Sequence, residues 1–135
     1  PYLRTHPLSR DRLEFVTDWV ERAGAARGDA GLPAGVETAF LMVRAKLDGF
    51  IDPPLTTWRR YGENDGSAPA RYARAIAQHR SGRADAALGL LDGLVREQPS
   101  NPWLRELQGQ VLFEAGRVAE AVGPLREAAR LAPGE

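Results

Sequence analysis

APARYARAIAQHRSGRADAALGLLDGLVREQPSN, residues 68–101, is followed by PWLRELQGQVLFEAGRVAEAVGPLREAARLAPGE, residues 102–135, and the second stretch repeats the first at an offset of 34 residues. Ala75 pairs with Gly109, Gly82 with Gly116, Ala87 with Ala121, Leu91 with Leu125, Leu94 with Ala128 and Pro99 with Pro133. Each pair suits a job in a two-helix unit. Ala75 and Gly109 fall midway along a first helix, and Ala87 and Ala121 near the start of a second. A larger side chain at these crossings would push the helices beyond their usual contact of about 8–10 Å. Gly82 and Gly116 end the first helix in the left-handed conformation that a helix C-terminus favours. Pro99 and Pro133 stop the second helix and turn the chain into the next unit.

A 34-residue unit with small crossing residues and a closing proline resembles the tetratricopeptide repeat (TPR). The resemblance implies an all-α fold, a tetratricopeptide-like α-α superhelix. Two departures stand out: Arg71 and Arg105 replace the aromatic usual at the fourth position, and Leu94 stands where alanine is usual. The alternative is an ordinary pair of helical hairpins in an Ala-rich chain.

The 135 residues are one domain in size, with 43% apolar and 27% charged residues, a soluble globular composition. No apolar run approaches the ~18 residues that a membrane span needs. Eighteen basic residues balance eighteen acidic ones and are spread over every helix, so no electrostatic footprint for nucleic acid or anionic lipid exists. Zero cysteines exclude disulfides, thiol catalysis and thiolate zinc sites. The chain begins at Pro1 without an initiator Met or signal peptide and ends at Pro133-Gly134-Glu135, where another repeat could start; a fragment of a longer protein is expected.

Ser9 suits an N-cap for a helix over about 10–25, with Leu13, Val16, Val20 and Ala23 in one stripe that Phe15 and Trp19 widen. Gly24 to Gly35, with four Gly and one Pro, reads as a surface linker. A helix over 36–51 places Val36, Phe40, Val43, Leu47 and Phe50 on one face, and Pro53-Pro54 end it. A short helix over 54–61 comes next, then the polar turn Gly62 to Ser67. Further helices are expected at about 69–81, 84–97, 102–115 and 118–131. The organisation is an N-terminal segment and helix (1–35), a degenerate helix pair (36–67) and two regular units (68–101 and 102–135), forming one continuous domain. Glu120 and Arg130 suit the dipole of the last helix.

His6 and His79 are the only histidines, and no His-Glu-x-x-His pair, phosphate loop or nucleophile elbow exists, so no active site is expected. Asp11 with Glu14, and Glu63 with Asp65, read as solvated surface charge. Stacked helix pairs instead offer a surface lined by the first helix of each unit. In register that lining is Tyr72, Ile76, His79, Arg80, Trp103, Glu106, Gln110 and Phe113, whose aromatic and apolar members suit an extended or helical segment of a protein client. Tyr72 and Ile76 stand where a clamp for a C-terminal carboxylate would need Lys or Asn. Trp103, beside Pro102, has the alternative of packing on the preceding repeat.

Pro7 keeps His6 out of helical geometry and projects it before the first helix, as a capping or surface residue. Its setting, Leu3-Arg4-Thr5-His6-Pro7-Leu8 followed by Ser9-x-x-Arg12-Leu13, resembles the stretch after the protease domain in periplasmic HExxH zinc metalloproteases of the β-barrel assembly-enhancing kind, which carry a C-terminal tetratricopeptide domain. The similarity continues through the Ala39 to Leu47 helix, through Arg71-Tyr72-x-Arg74-Ala75, and through Pro99-x-Asn101-x-Trp103. It implies a peptidase whose repeats recruit misassembled outer-membrane proteins or their assembly machinery. It implies as well that His6 can take the fourth position on the catalytic zinc and hold the enzyme latent. The metal-binding helix is absent from these residues, so zinc and proteolysis would belong to the parent protein and this chain would carry no cofactor. A free-standing tetratricopeptide adaptor is the alternative. Two regular repeats and a degenerate one are near the minimum for a stack, so self-association through an apolar patch at Val118, Val122, Leu125 and Leu131 is expected.

Overall fold

A computed structural model of the chain describes residues 17–19, 21–22, 33 and 35–132. Two compact units are present, residues 1–34 and 35–135. In the first, the described residues 17–19 and 21–22 are helical, and Trp19 is exposed. The remainder of the expected 10–25 stripe, His6, and the Gly24 to Gly35 linker up to Ala34 apart from Pro33, lie outside the described residues.

Every described residue in regular structure is α-helical. The second unit runs α1 (Val36–Ile51), α2 (Pro54–Arg60), α3 (Ala68–Arg80), α4 (Ala84–Glu97), α5 (Pro102–Glu114) and α6 (Val118–Leu131). Local chemistry explains each boundary. Asp52 is extended before Pro53, and Pro54 sits in the first turn of α2, so the Asp-Pro-Pro run ends one helix and starts another. Ser67 and Asn101 cap α3 and α5, their side-chain oxygens accepting from the backbone N–H of Ala70 and Trp103.

The two regular units close their hairpins with the same turn. Gly82 and Gly116 have φ of 74° and 77°, where only glycine is unstrained. Arg83 N–H donates to Gln78 O at 2.9 Å and Arg117 N–H to Leu112 O at 2.9 Å, the six-to-one bond of a Schellman motif, repeated one period apart.

Successive helices pack in order: α3 on α4, α4 on α5 and α5 on α6, with α1 and α2 both against α3. Ala75, Ala87, Leu91, Leu94, Leu104 and Val111 are fully buried in one core cluster. Gly109 marks the closest crossing, since a Cβ there would collide with Cγ and Cδ2 of Leu125. Pro124 stands inside α6 and lacks the N–H that would bond the Glu120 carbonyl. Pro133 is outside the described residues.

Helix α1 departs from expectation. Of its stripe, Val36, Phe40, Val43 and Leu47 are exposed while Phe50 packs half-buried against the core, and the face against α3 is the small one, with Ala45 and Gly49 buried. The reason is distance: a Cβ on Gly49 would sit 2.9 Å from Ile76 Cβ, an approach that the large stripe could not make. The corner between α1 and α2 is polar. Tyr61 Oη donates to Asp48 Oδ2 at 2.7 Å, and Arg60 lies 2.9 Å from both Asp48 and Asp52. The Tyr61 hydrogen bond, helped by Arg60, holds the Asp48 carboxyl below its ordinary range. Burial first, and then the Asp48 carboxylate, pushes the Tyr61 hydroxyl up to about 12. Arg74, buried beside this corner, donates to the carbonyls of Gly62 and Asp65 at 2.5 and 2.9 Å.

Candidate functional site

The Asn101 cap and Pro102 start α5 so that Trp103 projects from its first turn, 57% exposed. Lys46 of α1 reaches over the indole, with Nζ 4.9 Å from the ring centroid, and bonds Glu106 Oε2 at 3.3 Å. One lysine thus holds both the ring and the carboxylate one turn further along α5. Cavities open on both sides of the indole. One, of about 210 Å³, lies among Met42, Val43, Lys46, Tyr72 and Asn101. The other, of about 480 Å³, lies towards α6 among Glu106, Leu125, Ala128 and Ala132. A half-exposed tryptophan between two open, largely apolar hollows is a surface suited to protein contact, because aromatic anchors supply contact area at low entropic cost.

At the other end of α5, Phe113 is 58% exposed. Beside it, Glu114 accepts from Gln110 Nε2 at 2.9 Å, and its Oε2 lies 2.9 Å from His79 Nε2. The imidazole therefore bridges the two regular units rather than standing free. Among the described residues no group of three His, Cys, Asp or Glu side chains is placed to hold a metal ion, and no described helix is long and apolar enough to cross a membrane.

The eight residues assigned to the surface by register separate into three groups. Trp103, Glu106, Gln110 and Phe113 of α5 lie along one helix with their side chains fully or partly open. His79 is half-buried in its contact with Glu114, and Arg80, although exposed, donates to the Gly49 and Asp52 carbonyls at the end of α1. Tyr72 and Ile76 are a correction: both are buried, Tyr72 to 2% exposure, because α1 closes over α3 where the register places open surface. The Tyr72 hydroxyl makes no hydrogen bond among the described residues, and burial followed by the Glu106 charge raises its pKa.

Lys46, Met42 and Val43 are the members that the period missed, since α1 precedes the regular repeats. Only Met42 carried a signal, recurring with Ala45 and Gly49 at helical spacing on the small side of that helix; Val43 belongs to the large stripe, and nothing local marks Lys46.

The model of one family, the tetratricopeptide repeat, matches residues 59–102 and again residues 72–135, so that the two matches together span more than half of the chain. No curated protein and no solved structure gives a significant match. The repeated Schellman turns, the small residues at the helix crossings and these two matches agree: the chain belongs to the tetratricopeptide repeat family, whose domains are non-catalytic protein-protein interaction modules.

Proposed function

We propose that the chain holds an apolar segment of a client protein along α5, anchored at Trp103 and Phe113. We further propose that it is the recruiting and regulatory part of a periplasmic zinc metalloprotease acting in outer-membrane protein quality control. The observation that carries the first statement is the exposed Trp103 ring, held from one side by Lys46 and flanked by two hollows. Exposed large aromatics at both ends of one helix favour a client with spaced apolar side chains over one that is uniformly charged.

The second statement is supported by the Leu3 to Leu8 segment and by the residues that extend its resemblance into the repeats. In such a parent the zinc would sit on an upstream HExxH helix. His6 in the fourth coordination position would exclude the water that a zinc hydrolase activates. The repeats would then bring client and protease together, and displacement of His6 would release activity.

The client arm is tested by titrating the chain with a urea-unfolded outer-membrane β-barrel protein diluted into buffer. Trp103→Ala with Phe113→Ala is expected to weaken binding on the order of tenfold or more with little change in melting temperature, since both side chains are more than half exposed. Unaltered binding would sink the assignment. The protease arm is tested separately in the full-length protein, where His6→Ala is expected to raise basal proteolysis; unchanged proteolysis counts against the latch. A parent reading frame with no HExxH helix upstream of Pro1 would favour the free-standing adaptor.

A further inference from the structure

Four large residues of α1 stand away from the face that it buries. Val36, Phe40, Val43 and Leu47 are between 42% and 63% exposed, whereas Ala45 and Gly49 are buried against α3. Their spacing is four, three and four residues, which is the alternation of the a and d positions of a heptad. A seam this narrow suits one facing helix rather than a broad core.

The charges beside the seam specify that helix. On one flank Glu37 and Arg44, both exposed, directly follow Val36 and Val43; on the other, Ala39 and Lys46 directly precede Phe40 and Leu47. Let two copies of α1 run antiparallel about a twofold axis midway between Phe40 and Val43. Phe40 then meets Val43 of the second copy, and Val36 meets Leu47, so all four large residues find apolar partners. The same placement sets Glu37 across from Arg44 of the second copy, twice by symmetry, and Lys46 across from the neutral Ala39. The surface is its own complement.

Competing arrangements lose this match. Sliding one copy by a heptad sets Glu37 against Glu37 in one direction and Arg44 against Arg44 in the other, and like charges reject both registers. A parallel pair brings Arg44 beside Ala39 and Lys46 beside Ile51, so neither charge finds its opposite.

We propose that α1 is a homodimerisation helix: its seam of Val36, Phe40, Val43 and Leu47 pairs antiparallel with the same seam of a second copy, and Glu37 bonds Arg44 at both ends. The dimer goes beyond the client reading, since α5 supplies none of the seam and only Val43 of the four also borders a hollow beside Trp103. A contact one helix wide falls near the lower end of stable interfaces, roughly 1,200 Å² in total, so the dimer forms at micromolar rather than nanomolar concentration.

Sedimentation equilibrium up to concentrations on the order of 100 μM is the test, with a monomer-dimer equilibrium expected for the native chain. Phe40→Glu, at the centre of the seam, is expected to abolish the dimer. Glu37→Arg turns both end pairs from attraction to repulsion and is expected to weaken it on the order of tenfold. Arg44→Glu is expected to do the same. Because Arg44 Nε also lies 3.8 Å from Asp48 Oδ2, the melting temperature of each variant is measured alongside. Both changes in one chain restore opposite charges at both ends and are expected to return the native dimer. Leu125→Glu on α6 and Phe113→Ala on α5 are expected to leave it unchanged. A monomer throughout the range overturns the proposal and leaves the seam to another occupant. Association that Leu125→Glu abolishes, that Glu37→Arg leaves intact, or that the double change does not restore overturns it too.

Discussion

Gly49 and Gly89 both lie inside helices, yet alanine is expected to act in opposite senses at the two positions. Removing a helix-interior glycine gains roughly 0.5–1 kcal/mol of propensity at either site. At Gly89 nothing stands within 4 Å of the added methyl, so that gain is realised in full. At Gly49 the new Cβ would meet Ile76 Cβ at 2.9 Å and its Cδ1 and Cγ2 at 3.1 Å, against the ~3.5–4.0 Å of an ordinary carbon contact. Ile76 is fully buried and has nowhere to swing, so α1 must lift from α3 by roughly half an ångström. Overpacking of this kind costs about 1–3 kcal/mol, which exceeds the propensity gain. Gly49→Ala should therefore lose about 0.5–2 kcal/mol while Gly89→Ala gains up to about 1 kcal/mol. At roughly 4–8 °C per kcal/mol for a unit of this size, the two melting temperatures should differ by on the order of 5–20 °C in thermal circular dichroism. Equal increases for both variants would refute the close approach of α1 that buries Tyr72 and Ile76.

The same geometry sets three further outcomes. Tyr72→Phe removes a buried hydroxyl that lacks a partner and should be neutral or stabilising in urea unfolding. Tyr72→Ala empties a core site and should cost about 3–5 kcal/mol, so a loss of client binding in that variant reports unfolding rather than a lost contact. Because the Asp48 carboxyl is held below its ordinary value of 3.8, the stability that it contributes is present above that pH and lost as pH falls below it. Asp48→Asn should accordingly flatten the decline of the urea midpoint between about pH 5 and 2; an unchanged profile would remove Asp48 from the corner's energetics. Pro124→Ala restores a donor to the Glu120 carbonyl within α6 and should raise stability by about 1–3 kcal/mol, read by the same unfolding assay.

From Val36 onward the helix limits expected from sequence agree with the structure to within one residue, and the reason is explicit turn chemistry. Gly82 and Gly116 hold a left-handed conformation, Pro53-Pro54 break the chain after α1, and Ser67 and Asn101 cap α3 and α5. Along α5 the period puts Trp103, Glu106, Gln110 and Phe113 on one face, and their side chains are fully or partly open. It failed at Tyr72 and Ile76 because register assigns a face without saying what covers it. The cover is α1, which lies outside the period and turns its small residues inward. Hydrophobic patterning points to the large stripe of Val36, Phe40, Val43, Leu47 and Phe50 as the packed face, but only Phe50 of these packs against the core, and the depth of the α1 contact selected Ala45 and Gly49. Lys46 was hidden for the same reason: its role depends on Trp103 and Glu106, 57 and 60 positions away, and no local pattern links them.

Client engagement along α5 is the central claim, and nitrogen-15 heteronuclear NMR reads that engagement most directly. Titration of the labelled chain with an unfolded outer-membrane β-barrel segment is expected to shift the Trp103 indole N–H and the backbone amides of Glu106, Gln110 and Phe113. Gly89 and Arg96, on the exposed side of α4, should stay in place. Shifts confined to α4, or none at saturating segment, would contradict it.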